Sequence, residues 1–383
     1  MKAKSILLLF SSFCLLIFLG CEAPENPVFG PDRPDPNPTG MPAATITAVT
    51  PTEGFLRDVI TIEGSGFNTT PEFNLVQFGN RTGVVVAASA TELSVQTPNF
   101  SDATVMVRVA VKGSEHWSNE MSFTFKPTLT VVDEEISWPK GIAIDAGGNV
   151  YVGSGNDGII FKITPAGEKT EFAHYPVNGA MHFGPNGYLY ACDQEGQMIG
   201  RISPDGTSIE DYFLSDSLSI IDFDWDANGN LYVATNSEGV YRRDPSGGVS
   251  LAAELGSPKS CRVFQNYLYV TDIWETGSVW RYEITASGLE NGEIIYTNED
   301  SPPTGLEVDD EGTVYISEAW DVHILAIKTD GSTEILYDGE LATPMRYLTL
   351  HNKTMYAVHP GWGDVGIVYA AYLGVGQAPR YGP

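Results

Sequence analysis

Six times between residues 141 and 359 the chain repeats one short pattern, and that repetition constrains the fold more than any other feature. The copies read GIAIDAGGNVYVGS (141–154), AMHFGPNGYLYACD (180–193), DFDWDANGNLYVAT (222–235), CRVFQNYLYVTD (261–272), GLEVDDEGTVYISE (305–318) and RYLTLHNKTMYAVH (346–359). Each is a strand, a tight Gly- or Asn-bearing turn, and a second strand that carries a tyrosine. The tyrosines are Tyr151, Tyr190, Tyr232, Tyr269, Tyr315 and Tyr356, spaced 39, 42, 37, 46 and 41 residues apart. A third strand follows each copy, and often a second turn: Pro165-Ala166-Gly167, Pro204-Asp205-Gly206, Pro245-Ser246-Gly247, Asp330-Gly331. Four antiparallel strands cannot bury both faces of their sheet alone, so the copies must stack around a common axis. Residues 128–383 therefore read as a six-bladed β-propeller.

Closure of the ring is also readable. The sixth copy has three strands, at 345–350, 354–358 and 366–373, and then a tail without a fourth. An orphan strand, Leu129-Thr130-Val131-Val132, stands before the first copy. An open edge invites wrong pairing, so the orphan is expected to complete blade six from outside.

Residues 44–126 are a second unit. About seven short runs alternate apolar and polar residues, with no helical period, which predicts a small β-sandwich. The segment resembles an IPT/TIG immunoglobulin-like domain through Ile46-x-x-Val49-x-Pro51-x-x-Gly54, Val59-Ile60-Thr61-Ile62-x-Gly64-x-Gly66-Phe67 and Val76-x-Phe78-Gly79. The repeats in turn resemble the blades of NHL and SMP-30/gluconolactonase-like propellers. The expected class is all-β: a small immunoglobulin-like β-sandwich followed by a six-bladed β-propeller.

The N-terminus reads as an address. Lys2 and Lys4 precede a 14-residue apolar run, Ile6 to Leu19, which is short for a membrane-spanning helix. Phe18-Leu19-Gly20-Cys21 resembles a bacterial lipobox, implying a signal peptide at 1–20 and lipidation of Cys21. Residues 21–43 are rich in proline and lack apolar period, so they read as an extended tether. Glu22 and Glu25 resemble the surface-export signal of Bacteroidota lipoproteins. The implied location is the cell envelope, anchored by lipid at the outer membrane, with the outer surface as an option. Cys192 and Cys261 fall inside strand-like runs of non-adjacent repeats and are expected to be buried free thiols.

With 49 acidic against 21 basic residues, the net charge of −28 repels phosphate backbones and excludes nucleic acid as a partner. The alternation of strands brings the starts of first strands and the ends of second strands to one mouth of the channel. The lactonase resemblance implies a divalent metal there, held by Glu, Asn and Asp. The matching positions read Pro139-Lys140-Gly141, Pro258-Lys259-Ser260 and Pro303-Thr304-Gly305, which offer a hard cation no carboxylate. Asp224-Trp225-Asp226-Ala227-Asn228-Gly229 looks like a calcium loop, but Thr235 stands where the twelfth-position acid belongs. No cofactor is expected, with calcium at this loop as the alternative. No HExxH, GxSxG or Walker pattern is present.

Two features remain at the mouth. Trp274, Trp320 and Trp362 follow their blade tyrosines by 5, 5 and 6 residues and would form an aromatic arc suited to the C–H faces of sugars. The competing reading is that they fill gaps between blades. Lys140, Lys259, Arg262 and Arg346 lie near the starts of first strands and would select an anionic group. The competing reading is pairing with Asp193, Asp222, Asp272 and Glu318. The expected function is ligand binding without catalysis, with an anionic glycan as the leading ligand. A hydrolase or lyase with a rearranged site, and a protein-docking surface module, are the alternatives.

Overall fold

The computed structural model describes residues 35, 37–98, 100, 103–193, 197–360 and 366–382. The signal-peptide and Cys21 expectations lie outside the described residues, and so does Trp362. The chain forms two compact units, a sandwich and a propeller.

In the sandwich, eight strands hydrogen-bond in the order Thr45–Thr50, Val59–Ser65, Glu92–Gln96, Arg81–Ala88, Asn74–Phe78, Ala103–Val111, Met121–Phe125 and Glu53–Gly54. The last of these, two residues long, is the strand that alternation did not disclose. One strand joins the layers. Arg81–Ala88 pairs with Asn74–Phe78 through its first residues and with Glu92–Gln96 through its last, with a register shift between Val85 and Ala87. Ile60, Ile62, Val76, Phe78, Leu93, Val95, Val107, Val109, Phe123 and Phe125 fill the core, every second residue of their strands. The end of the expected tether is packed rather than extended away. The buried Asp35 carboxylate accepts the Gly113 amide at 2.5 Å, and Met41 bridges to Ser114.

The propeller has six four-stranded antiparallel blades. Their innermost strands are Pro139–Ile144, Met181–Phe183, Ile220–Trp225, Pro258–Phe264, Pro303–Val308 and Tyr347–His351. The orphan strand, Leu129–Asp133, pairs antiparallel with Ile367–Tyr372 and supplies the outer strand of blade six. The ring shuts where Ile142, Val150, Val152 and Ile163 of blade one pack with Val358 and Val368 of blade six.

The repeated tyrosine has a physical reason. Its hydroxyl donates to the aspartate of the preceding hairpin turn: Tyr151 to Asp145 at 3.0 Å, Tyr232 to Asp226 at 3.4 Å, Tyr315 to Asp309 at 3.0 Å. In blade two the Asn186 amide donates to Tyr190 instead, at 3.2 Å. The calcium-like run is one of these turns. Asp226 is taken up by the amides of Asn228 and Asn230 and by Tyr232, whereas Asp224 accepts the Val263 amide of blade four. The two carboxylates thus serve different strands. Cys192 and Cys261 are buried free thiols.

The C-terminal tail, which carries no period, crosses the hairpin end of the channel. Gln377 bridges to Asp309, Ala378 enters the core of blade five, and Tyr381 packs among residues of blades two to four. Arg380 reaches Glu307, and lies 3.8 Å from Asp224.

Candidate functional site

At the opposite end of the channel a cavity of about 290 Å³ opens between the starts of the first strands and the ends of the second strands. All six blades contribute. Blade one gives Trp138 and Lys140, the approach to blade two Asn178, and blade three Ile221. Lys259, Ile273 and Trp274 come from blade four; Pro302, Thr304, Ala319 and Trp320 from blade five; Arg346, Tyr347 and Pro360 from blade six. Among the described residues no carboxylate lines it.

Trp274 and Trp320 are 72% and 54% exposed, so these indoles stand at the mouth rather than between blades. Trp138 is a third indole that the tyrosine-relative spacing could not find, because it precedes its blade. It is held at φ 42°, a left-handed conformation uncommon for a bulky residue. That turn lays the indole beside Lys140, whose ammonium sits 4.0 Å from the ring centroid. Lys140 also donates to the Asn178 side-chain carbonyl, and Lys259 to that of Asn236. Burial foremost, and then the neighbouring Arg346, bring the Lys259 ammonium down to about 8.

Arg262 is a correction. It does not line the cavity: its side chain is 4% exposed and pairs with Asp222 at 2.8 Å, with Glu307 3.6 Å away. It lies three residues beyond Lys259 on the same strand, which at roughly 3.3 Å per residue puts it about 10 Å further down the channel. Asp222 also meets His182 at 3.1 Å and the Ser260 hydroxyl at 2.6 Å. Burial pushes the Asp222 carboxyl up, but Arg262 and His182 outweigh it and hold the group well below the usual range. For Arg262, therefore, pairing with an acid is what the structure shows. Asp272 and Glu318 hold turns instead. Asp272 accepts the Ser257 amide at 2.8 Å.

Glu318 accepts Tyr296 and Asn298, each at 2.7 Å, and lies 2.8 Å from His323. Asn298 in turn meets the Ser301 amide, and the Ser301 hydroxyl accepts the Trp320 amide at 3.1 Å. The Glu318 hub thus supports the loop that presents Trp320. Among the described residues, Glu318, Asp321 and His323 are the group whose ligand atoms, all within 4.8 Å of one another, could hold a metal. The Glu318 oxygens are already engaged in that turn. The divalent metal implied by the lactonase resemblance does not fit its expected place. Lys140, Lys259 and Thr304 line the cavity there, and none of the three is a carboxylate, the donor a hard divalent cation prefers.

Comparison with known proteins supports the same architecture. Residues 44–125 match the IPT/TIG domain. No curated protein sequence matches the chain. Solved structures share the fold. A gluconolactonase from Xanthomonas campestris aligns over 64% of this chain and 89% of its own, at 14% identity and TM-score 0.56. A Bacteroides thetaiotaomicron protein of unknown function aligns over 87% of this chain and 99% of its own, at 17% identity and TM-score 0.55. An auxiliary nutrient binding protein from Bacteroides ovatus aligns over 86% of this chain and 98% of its own, at 10% identity and TM-score 0.50. The chain carries an IPT/TIG domain and a six-bladed propeller similar in fold to the gluconolactonases.

Proposed function

We propose that this protein is a lipid-anchored envelope protein whose propeller captures an anionic ligand, an acidic glycan first of all, without turning it over. The observation that carries the reading is one cavity holding three indoles, two lysines and an arginine, with no carboxylate among its described lining residues. Indole faces suit the C–H faces of a sugar ring, and the cations suit a uronate or sulfate. The volume is at the small end of ligand pockets, roughly 300–1,000 Å³, and suits a small unit rather than a long chain. The fold likeness to a nutrient binding protein is in keeping with capture. A metal-dependent lactonase would need donors that Lys140, Lys259 and Thr304 do not supply.

Calorimetric titration with acidic and neutral oligosaccharides at two salt concentrations tests the binding. Acidic ligands should bind, and more weakly at high salt, because exposed charges are screened over roughly 8 Å at physiological ionic strength. Equal binding of neutral ligands would contradict the reading. Fractionation tests the anchor: the wild type should sediment with membranes and Cys21→Ser should not. A soluble wild type would remove the anchor.

A further inference from the structure

Lys259 is the second residue of blade four's innermost strand, and its side chain enters the cavity that Lys140 and Arg346 also line. Charged and titratable groups lie on the strands around it. Asp222 is taken by His182, Ser260 and Arg262; Asp224 by the Val263 amide. Asp272 is taken by the Ser257 amide, and Glu307 by Arg380. Tyr347 follows Arg346 at the cavity wall, and the His359 ring meets the Pro344 carbonyl. The Lys259 amine itself is hydrogen-bonded to a neutral amide, Asn236.

An ammonium half out of water beside a guanidinium is disfavoured twice, by desolvation and by like charge. With its pKa brought down to about 8, Lys259 is neutral amine far more often near neutral pH than an ordinary lysine. A neutral amine exposed in a cavity is a nucleophile.

We propose that Lys259 forms a reversible imine with the aldehyde or ketone carbon of an anionic ligand whose acidic group is held by Arg346 and Lys140. The orientation of the ligand rests on the anion-binding reading above; the reactivity of the amine does not. The Nζ lone pair attacks the carbonyl carbon and the C=O π pair moves to oxygen, which takes a proton from the attacking nitrogen. The carbinolamine then loses its hydroxyl and the last Nζ proton as water, leaving C=N, and hydrolysis runs the same steps backwards. No electron is gained or lost. The ligand class is the aldehydic or ketonic acids, including the open-chain form of a reducing-end uronate.

The test is reductive trapping on the full chain. Purified protein is incubated with glyoxylate or propanal and cyanoborohydride from pH 6 to 11, and modified lysines are read by peptide mass spectrometry. Lys259 should be trapped at least tenfold faster than Lys328, a half-exposed lysine 2.9 Å from Glu334, at pH 7.5, with a midpoint near pH 8 and a preference for glyoxylate. Arg346→Gln should move the midpoint upward and abolish that preference. Lys259→Arg should abolish trapping at this site while leaving the trapping rate of Lys328 unchanged. A Lys259 rate equal to that of Lys328, a midpoint above pH 10, or equal trapping by propanal would overturn the proposal. Selective trapping without any acidic-glycan binding would sink the glycan reading alone and leave the imine standing.

Discussion

Lys259 and Arg262 stand three residues apart on one strand and are put to opposite uses. Arg262 is buried with Asp222, so removing one partner leaves a buried charge uncompensated. Arg262→Met should cost on the order of 3 kcal/mol in chemical denaturation, and Asp222→Leu added to it should recover part of the loss. No recovery would mean that the pair is not coupled. Lys259 is the reverse case. Its folded-state pKa of about 8 lies below the usual 10.5, so the unfolded chain binds the extra proton between those values. The lysine therefore costs stability in full below pH 8, and the cost fades as pH rises from 8 to 10.5. Lys259→Met should raise the melting temperature most at pH 7, with a gain that shrinks above pH 8. A gain independent of pH would contradict the depressed ammonium.

Strand pairing decides how the ring is closed, and a single strand does it. Leu129–Asp133 bonds to Ile367–Tyr372, while Ile136 and Val132 pack with the blade-one and blade-six core. Fragment 128–383 should melt cooperatively, and fragment 139–383, which lacks the strand, should melt markedly lower or fail to fold; equal melts would show another closure. This element was legible in the sequence because its absence from blade six and its presence before blade one are two halves of one period. The blades were legible for the same reason: each second strand carries a tyrosine, which in blades one, two, three and five bonds its hairpin turn. What stayed hidden follows no period. Trp138 comes to the cavity through one left-handed residue, and no spacing encodes that. Arg262 and Lys259 looked alike because depth along a channel is set by strand rise, not by residue type. The tail lacks apolar alternation, yet Ala378 and Tyr381 are drawn into blade cores.

On the scale of the whole molecule, the two ends of the channel differ. The tail lies across the hairpin end, where Arg380 meets Glu307 within a buried charged network. The other end is open and cationic, in a protein of net charge −28. A small basic cavity in an acidic surround draws in an anion only at short range, because the surrounding field is screened and repulsive. Affinity at the mouth must then come from contact, and the indoles supply its largest share. Each stacked aromatic contributes about 1 kcal/mol, so losing two should weaken binding roughly tenfold to a hundredfold. The most direct measurement is calorimetry of the best acidic oligosaccharide on the Trp274→Ala, Trp320→Ala double variant, with a thermal melt beside it. The account predicts that loss with an unchanged melting temperature, as expected for side chains already 72% and 54% exposed. Undiminished binding by the double variant would contradict it and place the ligand elsewhere on the molecule.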